Sequence, residues 1–546
     1  MEFDYIVVGA GTAGCAAAEA LTRSGKNRVL LIEAGGKPTS PFIGIPAGFA
    51  KLFQSRFDWA LETVPQREAG RRRIFVPRGR MLGGSANLNA QIHQWGHPAD
   101  YMAWAEGGAP GWSWNDVAPH FAAMECVADG DDPNRGHTGP MHVAVNPHAH
   151  RATCDFVKAA KTGVDRPTRD YNGEQYEGAW VAEIAHRRGK RFSAWNAFLK
   201  PAMRRRNLRV MTGCHVTRLL IDRDRAVGVE LAGFSAPGEL RAKAGVVLTS
   251  GAIGSPMILM RSGLGPAAQL RRHGIDVLRD MPGVGTNLHD HAMAVLTFPT
   301  RHNSTYKSAE SPLNLLRYLL ARSGPLASNA AEAIAFAKSC ASLPAPDMEL
   351  IFAPFEWRNE ALSPPAIHAF SIGAALAHPL SRGSVTLRTS APLSPPLIDF
   401  GLFTDAEGQD RRAMIEAVRW AHRVAQSPAM ARHLVPVPDL PDAPDAIFDQ
   451  ACSVMQTVYH PAGTCRMGLD ADAVVAPDLS VHGIGGLWIG DASIMPQLPR
   501  GHPNAAVAMI GARAAAFAEA TAEGRPATSF ATPQTQGAAM KFRNMR

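Results

Sequence analysis

The sequence predicts an α/β domain assembled from distant segments, joined to an α+β domain built on an antiparallel sheet. Three observations lead to this prediction. A strand–helix–strand pattern opens the chain, and short apolar strand candidates of the same kind recur at 244–250 and 486–491. The stretch 299–450 instead combines alternating strand patterns with proline-rich turns. The length of 546 residues also favours more than one domain.

The first predicted element is a short apolar strand that ends at Gly9. Gly9, Gly11 and Gly14 form a GxGxxG pattern between this strand and an alanine-rich helix, and a second apolar strand ends at Glu33. In such a unit the glycines allow a tight turn, close approach of a pyrophosphate and close helix packing. A carboxylate at the position of Glu33 accepts hydrogen bonds from an unphosphorylated ribose. The pattern predicts a Rossmann-like site for FAD or NAD, and it does not separate the two.

The later strand candidates indicate that this domain is discontinuous. Each is followed by a small-residue turn and a helical pattern, as the first strand is. The predicted segments are 1–150, 206–298 and 451–523 for the dinucleotide-binding domain, 151–205 for a connecting part of the second domain, 299–450 for a substrate-binding domain, and 524–546 for a flexible tail.

Charge and composition argue against several other classes of protein. The net charge is +8, but the basic runs at 71–73, 187–191 and 204–206 are short, scattered and not interleaved with aromatic residues. This pattern is typical of a solvated surface rather than a nucleic-acid site. A weak attraction to an anionic membrane or substrate remains open.

The cysteines and the apolar runs predict a cytoplasmic protein. The seven cysteines are widely spaced and form no CxxC pair, so neither a disulfide framework nor a zinc site is expected. The chain enters its first strand by Tyr5, which leaves no room for a signal peptide. No apolar run approaches the ~18 residues of a membrane span, so at most peripheral membrane contact is expected.

Four further stretches carry a family resemblance. They are PRGRMLGGSANLN at 77–89, GAIGSPMILMRSGLG at 251–265, PGVGTNLHDH at 282–291, and a C-terminal block at 459–505. Together with the first strand–helix–strand unit they resemble the glucose–methanol–choline (GMC) oxidoreductases, in particular the bacterial choline and alcohol dehydrogenases. The resemblance spans nearly the whole chain. It implies FAD as the cofactor and the oxidation of an alcohol as the reaction.

The resemblance also implies which residues contact FAD. The first signature departs from the family at Ala86, where a small hydroxyl residue or glycine is usual, and it has Leu88 where some members attach FAD covalently through histidine. FAD is therefore expected to be bound non-covalently. The implied contacts are Gly9, Gly11, Thr12, Ala13, Gly14, Glu33, Ala34, Arg80, Leu82, Gly83, Ser85, Asn89, Val216, Ser250, Gly251, Asp491, Ala492, Asn504 and Ala505.

Two histidines of the C-terminal block are the implied catalytic residues. His460 occupies the position of the family's base, and His502 that of the second member of a His–His or His–Asn pair. A neutral imidazole, with an ordinary pKa of ~6.5, is suited to removing the hydroxyl proton while flavin N5 takes the hydride. His289 and His291 are expected to make structural hydrogen bonds, and no metal is expected. Glu332 either faces the substrate cavity or lies on a helix face.

Other functions remain possible on the sequence alone. A few family members perform flavin photochemistry on fatty acids or cleave hydroxynitriles, but the photodecarboxylase-like members lack histidine at the position of His460. A non-catalytic FAD-binding protein would be expected to lose the base. An NAD-dependent dehydrogenase is supported only by the GxGxxG pattern. The alcohol, and the choice between oxygen and a quinone-type carrier as electron acceptor, stay open.

Overall fold

The computed structural model describes residues 2–128, 133–161, 171–172, 176–232 and 238–525. The predicted tail, 524–546, lies outside the described residues apart from its first two, so its predicted flexibility stays a prediction. The described chain forms two large sheets with helices packed around them.

The first sheet is the parallel sheet that the N-terminal pattern predicts. Five strands run parallel, and two antiparallel strands extend one side. The fully buried strand Val29–Glu33 lies between two neighbours, as expected for an apolar strand inside such a sheet. In spatial order the strands are Leu208–Thr212, Val29–Glu33, Phe3–Val8 and Glu239–Leu248, after which the sheet divides into Leu487–Ile489 on one branch and Arg225–Ala232 with His215–Asp222 on the other.

The division of the sheet occurs along a single strand, Glu239–Leu248. Its first half pairs antiparallel with Arg225–Ala232, and its second half pairs parallel with Leu487–Ile489. Residues from the beginning, middle and end of the chain therefore share one sheet.

Two helices from opposite ends of the chain pack against each other beside this sheet. Thr12–Thr22 contacts Asn504–Ala522, and the Tyr5 hydroxyl donates to the Ala518 carbonyl at 3.1 Å. Asn504–Ala522 is, in the described part of the chain, the one helix long and apolar enough to cross a membrane, and 61% of its apolar 18-residue window is buried in the protein. No such segment is expected from the sequence, because the hydropathy of this helix comes from its many alanines rather than from a run of large apolar residues. Its contacts are those of a core helix.

The second sheet is antiparallel throughout and has six strands. Besides strands from the predicted segments 151–205 and 299–450, it contains Ala292–Pro299 and Met455–Thr457, which lie in segments predicted for the dinucleotide-binding domain. The long helix Gln409–Gln426 packs against it. In spatial order the strands are Met455–Thr457, Ala292–Pro299, Ala369–Leu376, Met348–Ala353, Ala333–Ala337 and Gly178–Val181.

Smaller elements connect the two sheets. Four short strands form a third sheet, Glu125–Val127, Met141–Val145, Glu183–Arg187 and Lys190–Arg191, and three strand pairs are Leu61–Glu62 with Phe75–Val76, Leu264–Gly265 with Arg279–Asp280, and Ser384–Thr386 with Leu397–Asp399. The other helices are Pro41–Gly44, Pro98–Glu106, Trp114–Met124, Arg151–Ala160, Lys200–Ala202, Gly251–Arg261, Ala267–Arg272, Pro312–Ala321, Pro428–Ala431 and Pro444–Ser453, and the short helical turns are Pro46–Leu52, Gly84–Asn87, Trp195–Leu199, Tyr306–Ser308, Pro325–Ala327 and Ala492–Ile494.

Candidate active site

A cavity of about 1060 Å³ lies between the carboxyl ends of the parallel strands and one face of the antiparallel sheet. Parallel sheets place their ligand sites at this edge, where strands end and helices begin. Residues of both sheets line the cavity, for example Val8 from the first and Val295 from the second. The cavity is large enough for a cofactor and a small substrate together.

The first turn of the chain forms one end of the cavity. Gly9 has a φ of +99°, which favours glycine, and a Cβ at Gly14 would stand 1.8 Å from the Gly9 carbonyl oxygen. No atom lies within 4 Å of a Cβ built at Gly11, although Gly11 lines the cavity. Gly9 and Gly14 thus keep the turn tight, while Gly11 leaves open space beside the start of helix Thr12–Thr22.

Glu33 lies beside this turn at the end of its strand and lines the cavity. Its two carboxylate oxygens accept hydrogen bonds from the Ala10 N–H at 2.9 Å and the Gly35 N–H at 2.8 Å. Burial raises the pKa of Glu33 to about 7. Each oxygen keeps an unused lone pair, so the fixed carboxylate can accept further hydrogen bonds from the hydroxyls of a ribose.

The loop at 77–89 closes over the turn from the other side. A Cβ at Gly84 would stand 2.6 Å from the Gly11 Cα, so this close approach of the two backbones requires glycine at position 84. Arg80 lines the cavity with its guanidinium 4.8 Å from the centre of the Trp59 ring, and Ser85 Oγ accepts from the Gly79 N–H at 3.1 Å.

Asp491 connects the C-terminal strand of the first sheet to helix Gly251–Arg261. Its buried carboxylate accepts from the Gly251 N–H at 2.8 Å and the Ser255 hydroxyl at 2.6 Å, and from the Ser493 N–H at 2.8 Å. Burial raises its pKa. The structure therefore gives Asp491 a clear role in holding the cavity wall together, and Asp491 also lines the cavity.

Most of the predicted FAD contacts line this cavity. Gly14, Leu82, Gly83 and Ala505 do not line it, and all four are buried. The predicted residues that line it are Gly9, Gly11, Thr12, Ala13, Glu33, Ala34, Arg80, Ser85, Asn89, Val216, Ser250, Gly251, Asp491, Ala492 and Asn504, together with His460 and His502.

Glu332 does not face the cavity and does not lie on a helix. It directly precedes strand Ala333–Ala337, and its carboxylate accepts from the Thr153 hydroxyl at 2.5 Å, the Ser328 hydroxyl at 2.7 Å and the His150 N–H at 2.6 Å. These three donors occupy the Glu332 carboxylate with hydrogen bonds inside the protein. The structure thus makes Glu332 a buried structural carboxylate, and the expectation of a substrate contact is not supported.

His460 and His502 come together on one wall of the cavity. Their ring centres are 4.9 Å apart and their planes are nearly perpendicular, at 84°. Tyr459, just before His460, has a φ of +65°, an uncommon conformation for a residue with a side chain that is typical of functional sites. Burial, with the nearby His502 and His291, holds the pKa of His460 well below 6.5. His460 is therefore neutral and able to accept a proton at physiological pH.

Asp290 and His291 hold His460 in place. The His460 main-chain N–H donates to Asp290 Oδ1 at 2.8 Å, and the Nδ1 atoms of His291 and His460 are 3.1 Å apart. Burial raises the pKa of Asp290 to about 7. His289 makes the structural hydrogen bonds expected of it, from Nδ1 to the Asn287 carbonyl and from the Leu498 N–H to Nε2. His291 differs from that expectation, because its partner is the candidate base.

His502 is held by two residues that were not among the predicted site residues. Its Nε2 lies 3.0 Å from Oε1 of the fully buried Glu349, and its main-chain N–H donates to Gln94 Oε1 at 2.9 Å. The pattern GVGTNLHDH could have drawn attention to Asp290 and His291. Glu349 sits in an ordinary apolar strand, with no local signal. Among the described residues, no group of three or more His, Cys, Asp or Glu is arranged to hold a metal ion.

Comparisons with known proteins point to one family. Family models described as GMC oxidoreductase match residues 3–293 and 379–511. An uncharacterised GMC-type oxidoreductase of Mycobacterium tuberculosis is 42% identical over 94% of this chain and 98% of its own length. An alcohol dehydrogenase [acceptor] of Pseudomonas putida is 34% identical, and an oxygen-dependent choline dehydrogenase of Sinorhizobium fredii 35%, each over 94% of this chain and 95% of its own.

Solved structures give the same result. The crystal structure of pyridoxine 4-oxidase from Mesorbium loti has a TM-score of 0.86 at 30% identity and covers 94% of this chain and 99% of its own. Formate oxidase of Aspergillus oryzae RIB40 has a TM-score of 0.87 at 26% identity over 96% and 99%. The family resemblance predicted from the sequence is confirmed: the chain belongs to the GMC oxidoreductase family.

Proposed function

We propose that this protein binds FAD non-covalently and oxidises an uncharged, apolar alcohol to an aldehyde or ketone, with oxygen or a quinone-type carrier as the final electron acceptor. One observation carries the proposal. His460 and His502 face each other on the wall of the same cavity that holds the dinucleotide turn. The pair of histidines is suited to removing a proton from an alcohol, and the glycine turn is suited to binding a dinucleotide.

The residues around the turn fit FAD. Gly11 leaves open space where a pyrophosphate approaches the start of a helix, and Glu33 offers fixed acceptors to a ribose. Leu88 lines the cavity as a largely buried apolar side chain, packed with Met81 and Phe57. Since leucine forms no bond to a flavin, this position supports non-covalent attachment.

In the proposed oxidation, the side chains of the protein accept the proton of the alcohol. When bound, the flavin supplies the acceptor for the hydride, at its N5 atom. His460, neutral and held by His291, is placed to take the proton of a substrate hydroxyl. His502, fixed by Glu349, is placed to hold the same oxygen as negative charge develops on it. Photochemical decarboxylation is less well supported, because a fatty acid has no alcohol proton for this pair to take. Cleavage of a hydroxynitrile would also use a base, but it would leave the flavin oxidised.

The substrate side of the cavity is apolar and aromatic. Phe49 lies 6.3 Å from Trp357, Trp357 lies 5.5 Å from Phe355, and Phe53 lies 6.3 Å from Tyr459, between ring centres, so the rings form a continuous wall next to His460. Apart from Arg78, which donates to main-chain carbonyls, the charged residues of the lining lie on the side of the parallel sheet: Glu33, Arg80, Arg261 and Asp491. Such a wall favours an aromatic or aliphatic alcohol without charge.

A panel of alcohols tests this proposal. We expect anaerobic addition of benzylic or medium-chain aliphatic alcohols to bleach the flavin spectrum of the purified protein. Sugars and choline should bleach it at least about tenfold more slowly, because extra hydroxyls or an unpaired charge in an apolar pocket cost at least this factor. Rapid return of the yellow colour in air would identify an oxidase, and slow return a dehydrogenase. Bound flavin that no alcohol bleaches would contradict the proposed reaction, and fastest bleaching by choline would contradict the substrate class.

The lowered pKa of His460 predicts a pH profile. A base with a lowered pKa stays deprotonated as the pH falls, so kcat/KM should remain level from neutral pH down through 6.5 and decline only below it. Because His502 is one cause of the lowering, the His502→Asn variant should move this acidic limb toward higher pH. Stopped-flow flavin reduction over a pH series measures the acidic limb in the unmodified enzyme and in the variant. An acidic limb at or above pH 6.5 in the unmodified enzyme would contradict the assignment of His460 as the base.

A further inference from the structure

The helix Pro312–Ala321 exposes an unusual amount of apolar surface. Ser311 begins it by accepting a hydrogen bond from the Asn314 N–H, and Arg322 ends it in the left-handed conformation. Tyr318 is its one buried residue. Five leucines project to the surface, with exposed fractions of 44% to 78%: Leu313, Leu315, Leu316, Leu319 and Leu320. Contiguous exposed apolar faces of this kind mark interaction sites on soluble proteins.

Cations without acidic partners surround this helix at its C-terminal end. The turn at 187–190 touches it, because a Cβ at Gly189 would stand 2.3 Å from the Arg322 carbonyl oxygen. Arg317 bonds to the Ser323 hydroxyl, and the Arg322 guanidinium lies 4.9 Å from the Tyr318 ring centre. The cations of the turn and of the helix end are Arg187, Arg188, Lys190, Arg317 and Arg322. In the described part of the chain none of the five forms an ion pair with a carboxylate. Below, the five leucines and these five cations are called the leucine patch.

From this combination we infer that the leucine patch docks the protein on the surface of an anionic phospholipid bilayer. An interfacial helix buries leucines at the boundary of headgroups and acyl chains, while nearby arginines and lysines bind anionic headgroups. A second copy of this chain is a poorer occupant, since a symmetric contact would bring two cationic rims together. Glu310, two residues before the helix, is paired with Lys51 at 2.9 Å.

The position of the patch relates docking to the proposed reaction site. Tyr318 packs in a cluster with Leu326 and Ile45, and the Tyr318 hydroxyl donates to the Gly44 carbonyl at 3.3 Å. The following turn, Pro46–Leu52, contributes Phe49 to the cavity wall. Docking would therefore place the aromatic side of the cavity near the bilayer surface, where apolar alcohols concentrate.

Co-sedimentation with vesicles tests the inference on the full-length flavin-loaded protein. We expect binding to vesicles that contain phosphatidylglycerol and little binding to pure phosphatidylcholine, with a steep decline at high salt. The Leu316→Glu/Leu320→Glu variant should bind at least about tenfold more weakly, because it loses buried apolar area and gains repulsion. The Arg187→Glu/Arg188→Glu variant should also bind more weakly.

Matched variants separate the patch from general charge and folding effects. Leu278→Glu/Leu469→Glu changes two leucines that are also exposed, and Arg204→Glu/Arg206→Glu reverses two cations of another basic run. Both controls should bind vesicles like the unmodified protein, and all four variants should retain flavin. Failure of the unmodified protein to bind anionic vesicles would overturn the inference. So would a dimer in light scattering that only the Leu316→Glu/Leu320→Glu variant loses, because the patch would then bind a second copy.

Discussion

Replacing His460 with alanine should lower the rate of flavin reduction by about 10²- to 10⁴-fold, the usual contribution of a general base. The loss should appear mainly in kcat, because the proton transfer occurs in the transition state rather than on binding. Stopped-flow reduction under anaerobic conditions, at saturating alcohol, measures this rate directly. The main-chain N–H of residue 460 should keep its bond to Asp290, so the loop should retain its shape.

Two controls make the His460→Ala result specific. The variant should purify with the same flavin content and spectrum as the unmodified protein, which excludes loss of the cofactor as the cause. His137→Gln changes an exposed histidine that does not line the cavity, and it should reduce flavin at the unmodified rate. A His460→Ala rate within threefold of the unmodified enzyme, at normal flavin content, would refute the assignment of the base.

Replacing Gly11 with alanine should remove most of the bound flavin while leaving the protein folded. The added methyl meets no protein atom within 4 Å, so the apoprotein should melt at an unchanged temperature. If the pyrophosphate lies against this backbone, the methyl occupies its space. An overpacking cost of about 1–3 kcal/mol corresponds to a Kd for FAD that is about 5- to 150-fold higher. Fluorescence titration of the apoprotein with FAD measures this constant.

Two other glycines serve as comparisons for Gly11→Ala. Gly14→Ala places its methyl 1.8 Å from the Gly9 carbonyl oxygen, so it should lower the melting temperature as well as flavin content. Gly36→Ala lies on the exposed side of the same region, with no atom within 4 Å of the methyl, and should change neither. Unchanged FAD affinity in Gly11→Ala would show that the cofactor does not approach this turn.

The parts of the fold that short-range patterns specify were predictable from the sequence. The turn at Gly9–Gly14 and the carboxylate of Glu33 depend on residues close together in the chain, and the structure places them as expected. The pairing of His460 with His502 was predictable only through family resemblance. Forty-two positions separate these residues, and no local pattern brings them together.

The parts that depend on long-range packing were not predictable. Glu349 reaches His502 because its strand lies in a particular register of the second sheet, which no local pattern reveals. The same difficulty affects Glu332, whose burial beside Thr153 depends on the packing of two segments far apart in the chain. Strands Ala292–Pro299 and Met455–Thr457 join the second sheet from segments that the sequence assigned to the dinucleotide-binding domain, because the register of a sheet depends on long-range pairing.

The divided strand Glu239–Leu248 has a consequence for how the protein is made. Its last partner in the first sheet, Leu487–Ile489, leaves the ribosome about 240 residues later, which at about 5–20 residues per second takes roughly 12–50 s. Asp491, His460 and His502 arrive only in that final portion. During this interval the edge of the strand is unpaired, and the dinucleotide-binding sheet of the nascent chain is incomplete. Capture of the flavin is therefore a late event in biogenesis, and the nascent chain is the form most exposed to aggregation and most in need of chaperones.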